Sequence, residues 1–85
     1  MKINLGAGIK HIKGFKSIDF YSDQEKIILK KNNIDFFSGD VFDYLKEVKE
    51  NSVEEIYSRH FFEHLTYSEI KDLLVKLERI LIKDG

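Results

Sequence analysis

The chain has 85 residues, which suffice for one small domain, so we treat residues 1–85 as a single domain with a thin core. The formal net charge is −1 with lysine and glutamate interspersed, so nothing resembles the cationic stripe that binds nucleic-acid phosphates. Cysteine is absent, which excludes disulfides and thiolate metal sites. The sequence has neither the apolar run of a signal peptide nor one long enough to span a membrane, so we expect a cytoplasmic protein that does not contact membranes.

The first half of the chain alternates strand-like and helix-like segments. Residues 1–5 read as a buried strand stopped by Gly6 and Gly8, and residues 15–20 alternate as a second strand. The ten-residue connector, residues 6–15, leaves room for one turn of helix at most. A short helix is predicted over residues 24–31, and a third strand over residues 34–37.

The second half contains the clearest helix. Asp40 can cap a helix that runs through residue 49, and residues 53–58 follow as a fourth strand. Thr66 and Glu69 match a capping box, which predicts a new helix at this point. One apolar stripe follows at helical spacing: Ile70, Leu73, Leu74, Leu77, Ile80 and Leu81. The Lys83-Asp84-Gly85 sequence is typical of a helix C-cap.

Strands alternating with helices predict an α/β fold with about four parallel strands and right-handed crossovers. Ligands bind such sheets beyond the carboxyl ends of the strands. Four features fall at predicted strand ends: the Gly6-Ala7-Gly8 turn, Asp19, Asp40, and residues 59–64. Their coincidence at one edge of the sheet indicates a binding site there.

Each of these features also has a structural explanation. A Gly-x-Gly turn after a strand lets a ligand approach the backbone, but it is also an ordinary turn. Asp19 can accept hydrogen bonds from both hydroxyls of a ribose, or it can be a solvated residue at a strand end. Asp40 can contact a ligand and also serve as the N-cap of the following helix.

His60, Glu63 and His64 form an H-x-x-E-H sequence, the pattern of inverted zinc peptidases. On one helix the two histidines would share a face and could bind Zn²⁺. The capping box at Thr66 starts a separate helix, however, and only 21 residues follow in which a third ligand could lie. A polar loop with Phe61 and Phe62 packed inward, or the mouth of a small-molecule site, are the alternatives.

Together these segments resemble the S-adenosylmethionine-dependent methyltransferases, over essentially the whole chain. The similarity is greatest to a subgroup of small predicted methyltransferases linked to surface-glycan biosynthesis. The matching segments are Ile3-Asn4-Leu5-Gly6-Ala7-Gly8, Gly14-Phe15-Lys16-Ser17-Ile18-Asp19, Gly39-Asp40-Val41 and the run from Asn51 to Leu65, followed by a helix that ends in the residues 78–85. The last of these runs is the most specific.

The resemblance implies a truncated Rossmann-like fold that binds S-adenosylmethionine. Gly6, Ala7 and Gly8 would surround the methionine part, and Asp19 would hold the ribose hydroxyls. Asp40 and Val41 would border the adenine, and Ser58 and His60 would face the sulfonium and a small-molecule or glycan-related acceptor. His60 is the candidate general base, since an unperturbed imidazole titrates near neutrality, and Glu63 and His64 could orient it.

Members of this family continue after the Lys-Asp-Gly position with three more strands, which this sequence lacks. We therefore expect either a methyltransferase, whole or truncated, or an inactive cofactor-binding or protein-interaction module. The fourth strand would be left as a bare sheet edge. Such an edge predicts a homo-oligomer, most simply a two-fold dimer with fourth strands paired across the axis.

Overall fold

The core of the fold is a parallel sheet of four strands, as predicted. The structure is a computed structural model that describes residues 1–58 and 61–83. Its strands are β1 (Lys2–Leu5), β2 (Lys16–Asp19), β3 (Phe36–Ser38) and β4 (Glu55–Ser58). They are ordered β3-β2-β1-β4, and every strand pair is parallel. The α/β prediction is therefore confirmed.

Three α-helices and one short turn accompany the sheet within the described residues. The helices are α1 (Asp23–Lys31), α2 (Val41–Glu47) and α3 (Tyr67–Ile80), and a 3-10 turn spans Phe62–His64. None of the described helices has the length and apolar character that crossing a membrane requires.

One face of the sheet carries the hydrophobic core. Successive strand residues point to opposite faces, so Ile3 and Leu5 of β1 share a face with Ile18 of β2. All three are fully buried, in one cluster with Leu45 of α2 and Leu73 of α3. Burying a Leu or Ile side chain stabilises the fold by about 1.5–3 kcal/mol, so α2 and α3 are fixed on this face mainly by these contacts.

The opposite face of the sheet is polar at its centre. Asn4 and Ser17 are 1% and 0% exposed, and the connector of residues 6–15 covers them. Asn4 donates its amide to the Lys10 carbonyl at 2.8 Å, and the Ser17 hydroxyl lies 2.8 Å from His11 Nδ1. Buried polar groups need such partners. The connector supplies them without forming a helix, as its length predicted.

Capping residues set the starts of the longer helices. The Thr66 hydroxyl accepts from the Glu69 amide, and the Glu69 carboxylate accepts from the Thr66 amide, so the predicted capping box is confirmed. An equivalent box that the sequence analysis did not identify, made by Ser22 and Glu25, starts α1. Both boxes satisfy amides that have no partner inside their helix.

The predicted end of the last helix is wrong. α3 stops at Ile80, and Leu81 is extended with φ −68° and ψ 138°. A parallel β-bridge joins Leu81 to Val53, and the Ile82 amide donates to the Val53 carbonyl at 2.9 Å. This pairing with a distant segment takes the chain out of the helix before Lys83, so Lys83 does not cap it. Residues 84–85 lie outside the described part.

Candidate functional site

The strand order places a topological switch point between β1 and β4. From β1 the chain moves outward through β2 to β3 and then returns to the other side of β1 to form β4. In open α/β sheets, ligands bind beyond the carboxyl ends of the strands at such a point. Here β1 ends at Leu5, just before Gly6, and β4 ends at Ser58, whose neighbour across the strand pair is Leu5.

The glycine loop after β1 is held by its own amides. Gly6 and Gly8 have φ values of +64° and +53°, a region that glycine enters at little cost. The Gly6 amide donates to the Ile18 carbonyl at 2.8 Å, and the Ala7 amide lies 3.4 Å from the same oxygen. The Gly8 amide donates to Asp19 Oδ2 at 2.7 Å. All three amides therefore have partners inside the chain, so an anion would have to displace one to bind them.

Asp19 joins the ends of three strands. It is the last residue of β2, its Oδ2 accepts from the Gly8 amide, and its Oδ1 accepts from the Phe20 amide at 2.7 Å. Its backbone carbonyl accepts from the Gly39 amide, just after β3, at 3.0 Å. An ionised carboxylate offers about four acceptor positions, so capacity for two further hydroxyl donors remains on Asp19.

Asp40 and Val41 lie at the end of β3. Asp40 Oδ1 accepts from the Phe42 amide at 2.8 Å and from the Asp43 amide at 3.3 Å, which is the N-cap geometry that the sequence predicted. Val41 is 6% exposed, with its side chain in the core cluster. A ligand at this edge could reach the exposed Asp40 side chain, but would meet Val41 chiefly through its backbone.

Tyr21 is a part of the site that sequence reasoning missed. Its hydroxyl donates to the Gly8 carbonyl at 3.0 Å, and its amide donates to the Ser38 hydroxyl at 2.9 Å. Burial raises the pKa of Tyr21 to about 12, and the negative charge of Asp19 adds to this. Tyr21 therefore connects the glycine loop, through its neutral phenol, with the end of β3, through its backbone amide. No periodic pattern marks a tyrosine just beyond a strand, so residue spacing does not identify this position.

Phe61 closes the site above the glycine loop. A Cβ atom added to Gly6 would lie 2.7 Å from Phe61 Cδ1, so the ring packs directly on the glycine. Phe61 also packs against the core cluster, whereas Phe62 is 39% exposed. The prediction that both rings pack inward is thus right for Phe61 and wrong for Phe62.

The H-x-x-E-H segment is only partly described. His60 lies outside the described residues, and Glu63 and His64 are exposed on the 3-10 turn. Leu65 is extended after that turn and α3 begins only beyond Thr66, so the motif and α3 do not form one helix. Among the described residues, no group of three or more His, Cys, Asp or Glu side chains could hold a metal ion.

A separate cavity of about 360 Å³ lies near the opposite, amino edge of the sheet, where β2 and β3 begin. It is lined by residues of the connectors before these two strands, His11 to Phe15 and Asn33 to Asp35. It shares none of the predicted site residues. Its position at the amino ends is not the one at which parallel sheets usually bind ligands.

Comparisons with models of known protein families, with curated proteins and with solved structures found no match.

Proposed function

We propose that this chain binds S-adenosylmethionine at the carboxyl edge of its sheet and takes part in transfer of the methyl group to a small-molecule or glycan-related acceptor. The observation that carries the proposal is the 2.7 Å hydrogen bond between the Gly8 amide and Asp19 Oδ2. It brings a glycine loop after β1 and an acidic residue at the end of β2 together beside the switch point. That combination is typical of sheets that bind nucleoside-containing cofactors.

The residues at this edge fit such a cofactor. A Cβ at Gly8 would meet only Asp19 Oδ2, at 3.9 Å, so the space above Gly8 is open next to the carboxylate. Asp19 can therefore accept from the two ribose hydroxyls while it keeps its bond to the loop. Because the amides of residues 6–8 are already used, the loop would contact the cofactor by close backbone approach and not by donating hydrogen bonds.

The chemistry of the reaction asks mainly for positioning. When bound, S-adenosylmethionine supplies a methyl group on a sulfonium, and transfer moves that carbon to the acceptor's nucleophilic atom while the C–S electron pair returns to sulfur. The chain's part is to fix the donor through Asp19 and the glycine loop and to place Ser58, at the end of β4, beside the acceptor. A proton lost by the acceptor needs a base, for which His60 is the candidate.

Calorimetric titration with S-adenosylhomocysteine tests the binding proposal. Asp19→Ala should weaken binding about 100-fold or more, because two charge-assisted hydrogen bonds are lost. Asp43→Ala is the matched control, since Asp43 is an exposed acid on α2 whose side chain forms an ion pair with Lys46 at 3.8 Å, away from Asp19. Native chain that gives neither heat nor a thermal shift would contradict the proposal.

A second substitution separates direct contact from loop positioning. Tyr21→Phe removes the hydroxyl that holds the Gly8 carbonyl but leaves the Asp19 carboxylate in place. If Asp19 contacts the ligand directly, Tyr21→Phe weakens binding only several-fold, since one neutral hydrogen bond contributes about 1 kcal/mol. Equal losses in Asp19→Ala and Tyr21→Phe would instead mean that Asp19 acts only by positioning the loop.

A cofactor-binding module without turnover is the second candidate. The observation that favours it is the exposure of Glu63 and His64, two of the three predicted catalytic residues, on a turn separate from α3. Consumption of the methyl donor with a panel of sugars and glycan precursors distinguishes the two. Binding of S-adenosylhomocysteine with no donor consumption across the panel would favour the module over the enzyme.

A further inference from the structure

Helix α1 carries a row of three exposed side chains spaced four residues apart: Asp23, Ile27 and Lys31. This spacing puts them on one face of the helix. Ile27 is 66% exposed, and the Asp23 side chain is 98% exposed and forms a 3.6 Å ion pair with Lys26. The row therefore has an acid at its start, an apolar residue at its centre and a base at its end. We call it the α1 row.

A second exposed apolar surface adjoins the α1 row. Ile28, the neighbour of Ile27, is 57% exposed, and Ile9 of the glycine-loop connector is 91% exposed. Both line a cavity of about 130 Å³ that also contacts Leu29, the one residue that α1 buries. Contiguous exposed apolar patches mark interaction surfaces, and Ile9 and Ile28 extend the apolar surface around Ile27.

We propose that the α1 row is the contact surface for a second copy of this chain, with the two α1 helices antiparallel about a two-fold axis at Ile27. Ile27 is the middle residue of α1, so positions 23 and 31 are equidistant from it. The axis then places Ile27 against Ile27 of the partner subunit, and Asp23 against Lys31 of the partner subunit. A two-fold contact requires a surface that is complementary to itself, and the α1 row meets this requirement.

The charges of Asp23 and Lys31 favour the antiparallel orientation of a second copy. A parallel pair of α1 helices would put acid against acid and base against base, whereas the antiparallel pair puts opposite charges together at both ends. The helix dipoles are also antiparallel in that arrangement. Nine residues of helix present a short surface of about 13 Å, so the dimer is expected to be weak and to dissociate in high salt.

Sedimentation tests the proposal. The concentration series should extend to about 1 mM, so that a dimer with a dissociation constant in that range is detected. The native chain should dimerise, and Ile27→Glu should be monomeric throughout, because a carboxylate would face its own copy across the axis. Val75→Glu is the matched control, since Val75 is 67% exposed on α3 and should leave the dimer intact. A native monomer at every concentration, or a dimer that survives Ile27→Glu, would overturn the proposal.

A charge exchange tests the orientation. Asp23→Lys or Lys31→Asp alone puts like charges together at both ends of the contact, and each should raise the dissociation constant about tenfold. The double variant restores opposite charges and should dimerise like the native chain. Both changes oppose the helix dipole, so recovery in the double variant cannot come from a more stable helix. Single variants that associate as the native chain does, or a double variant that does not recover, would overturn the antiparallel arrangement.

Discussion

Gly6 is the residue at which two constraints on the site meet. Its φ of +64° disfavours any side chain, and Phe61 already fills the space that a Cβ would take. Gly14 shares the first constraint, with φ +87°, but a Cβ there would meet nothing within 4 Å. A substitution at Gly14 therefore meets backbone strain alone, whereas one at Gly6 meets backbone strain and a steric clash.

We predict that Gly6→Ala destabilises the fold more than Gly14→Ala does. Both substitutions incur the cost of a positive φ, about 1–2 kcal/mol. Only Gly6→Ala must also move an aromatic ring, for which overpacking adds about 1–3 kcal/mol. Urea unfolding of the two variants measures the difference, and equal losses would contradict the contact between Phe61 and Gly6.

Tyr21 makes stability depend on pH at the alkaline end. Its pKa rises from 10.0 to about 12 because the phenol is buried beside Asp19, so the folded state retains the proton more tightly than the unfolded state. A group with a raised pKa stabilises the fold below its unfolded pKa, and this contribution is lost as the pH rises through the folded pKa.

Tyr21→Phe provides the comparison for this effect. The unfolding free energy of the native chain minus that of Tyr21→Phe should be constant below pH 10.0 and should fall between pH 10.0 and about 12. Tyr44, whose pKa is also raised by burial and by Asp35, is present in both chains, so its contribution cancels. A difference that stays constant up to pH 12 would contradict the buried position of the Tyr21 hydroxyl.

Residues whose roles follow from local sequence were predictable, and those placed by contacts between distant segments were not. Asp40 as an N-cap and the turn at Gly6 and Gly8 depend only on their neighbours. Tyr21 reaches Gly8 from 13 positions away, and Phe61 reaches Gly6 from the segment that follows β4, the neighbour of β1. Neither contact leaves a trace in residue spacing, because it depends on how two loops pack together.

Helices α1 and α3 begin with the same capping motif but differ in how many side chains they bury. Each has a complete capping box. α3 buries Leu73, Leu77 and Ile80 against the sheet, whereas α1 buries only Leu29. Loss of the capping box of α3 therefore destabilises the hydrophobic core. Loss of the capping box of α1 mainly destabilises that helix alone.

We predict that Thr66→Ala lowers the global free energy of unfolding by about 1 kcal/mol. Ser22→Ala should lower it less and should instead speed hydrogen exchange within α1, because that helix can open without disturbing the core. Ser68→Ala, at an exposed position in the first turn of α3, is the control and should have little effect. Equal global losses in Thr66→Ala and Ser22→Ala would contradict the weak anchoring of α1.

Element types followed from periodicity, but some element ends did not. The four strands and three helices of the structure lie where the apolar spacing predicts them. The end of α3 was misplaced because the bridge between Leu81 and Val53 involves residues 28 positions apart, and sequence spacing within a helix carries no information on it. A local C-cap pattern at residues 83–85 was therefore a misleading signal.

For the whole molecule, the order β3-β2-β1-β4 is what gathers the candidate site. It puts the glycine loop beside both Asp19 and the end of β4, which no single motif could do. A parallel sheet was predictable from alternating elements, and Asp19 and Asp40 were predictable as candidate site residues because they follow predicted strands. The packing of Phe61 over Gly6 and the internal use of the loop amides emerged only from the assembled sheet.

Self-association through the edge of β4 stays a prediction. Within the described residues β4 pairs only with β1, but Leu81 and Ile82 already bond to Val53 just before it, which shortens the free edge. The α1 row is a second candidate surface. The sedimentation behaviour of Ile27→Glu separates the two, since an edge dimer would not depend on α1.

We propose that S-adenosylmethionine binds at the carboxyl edge of the sheet, over the glycine loop and Asp19. The most direct test is a titration of the ¹⁵N-labelled chain with S-adenosylhomocysteine, followed by amide chemical shifts. We predict the largest shifts at residues 6–8, at Phe20 and at Gly39, whose amides bond to or beside Asp19. No shifts at saturating ligand, or shifts centred on residues 11–15 and 33–35 at the amino edge, would contradict it.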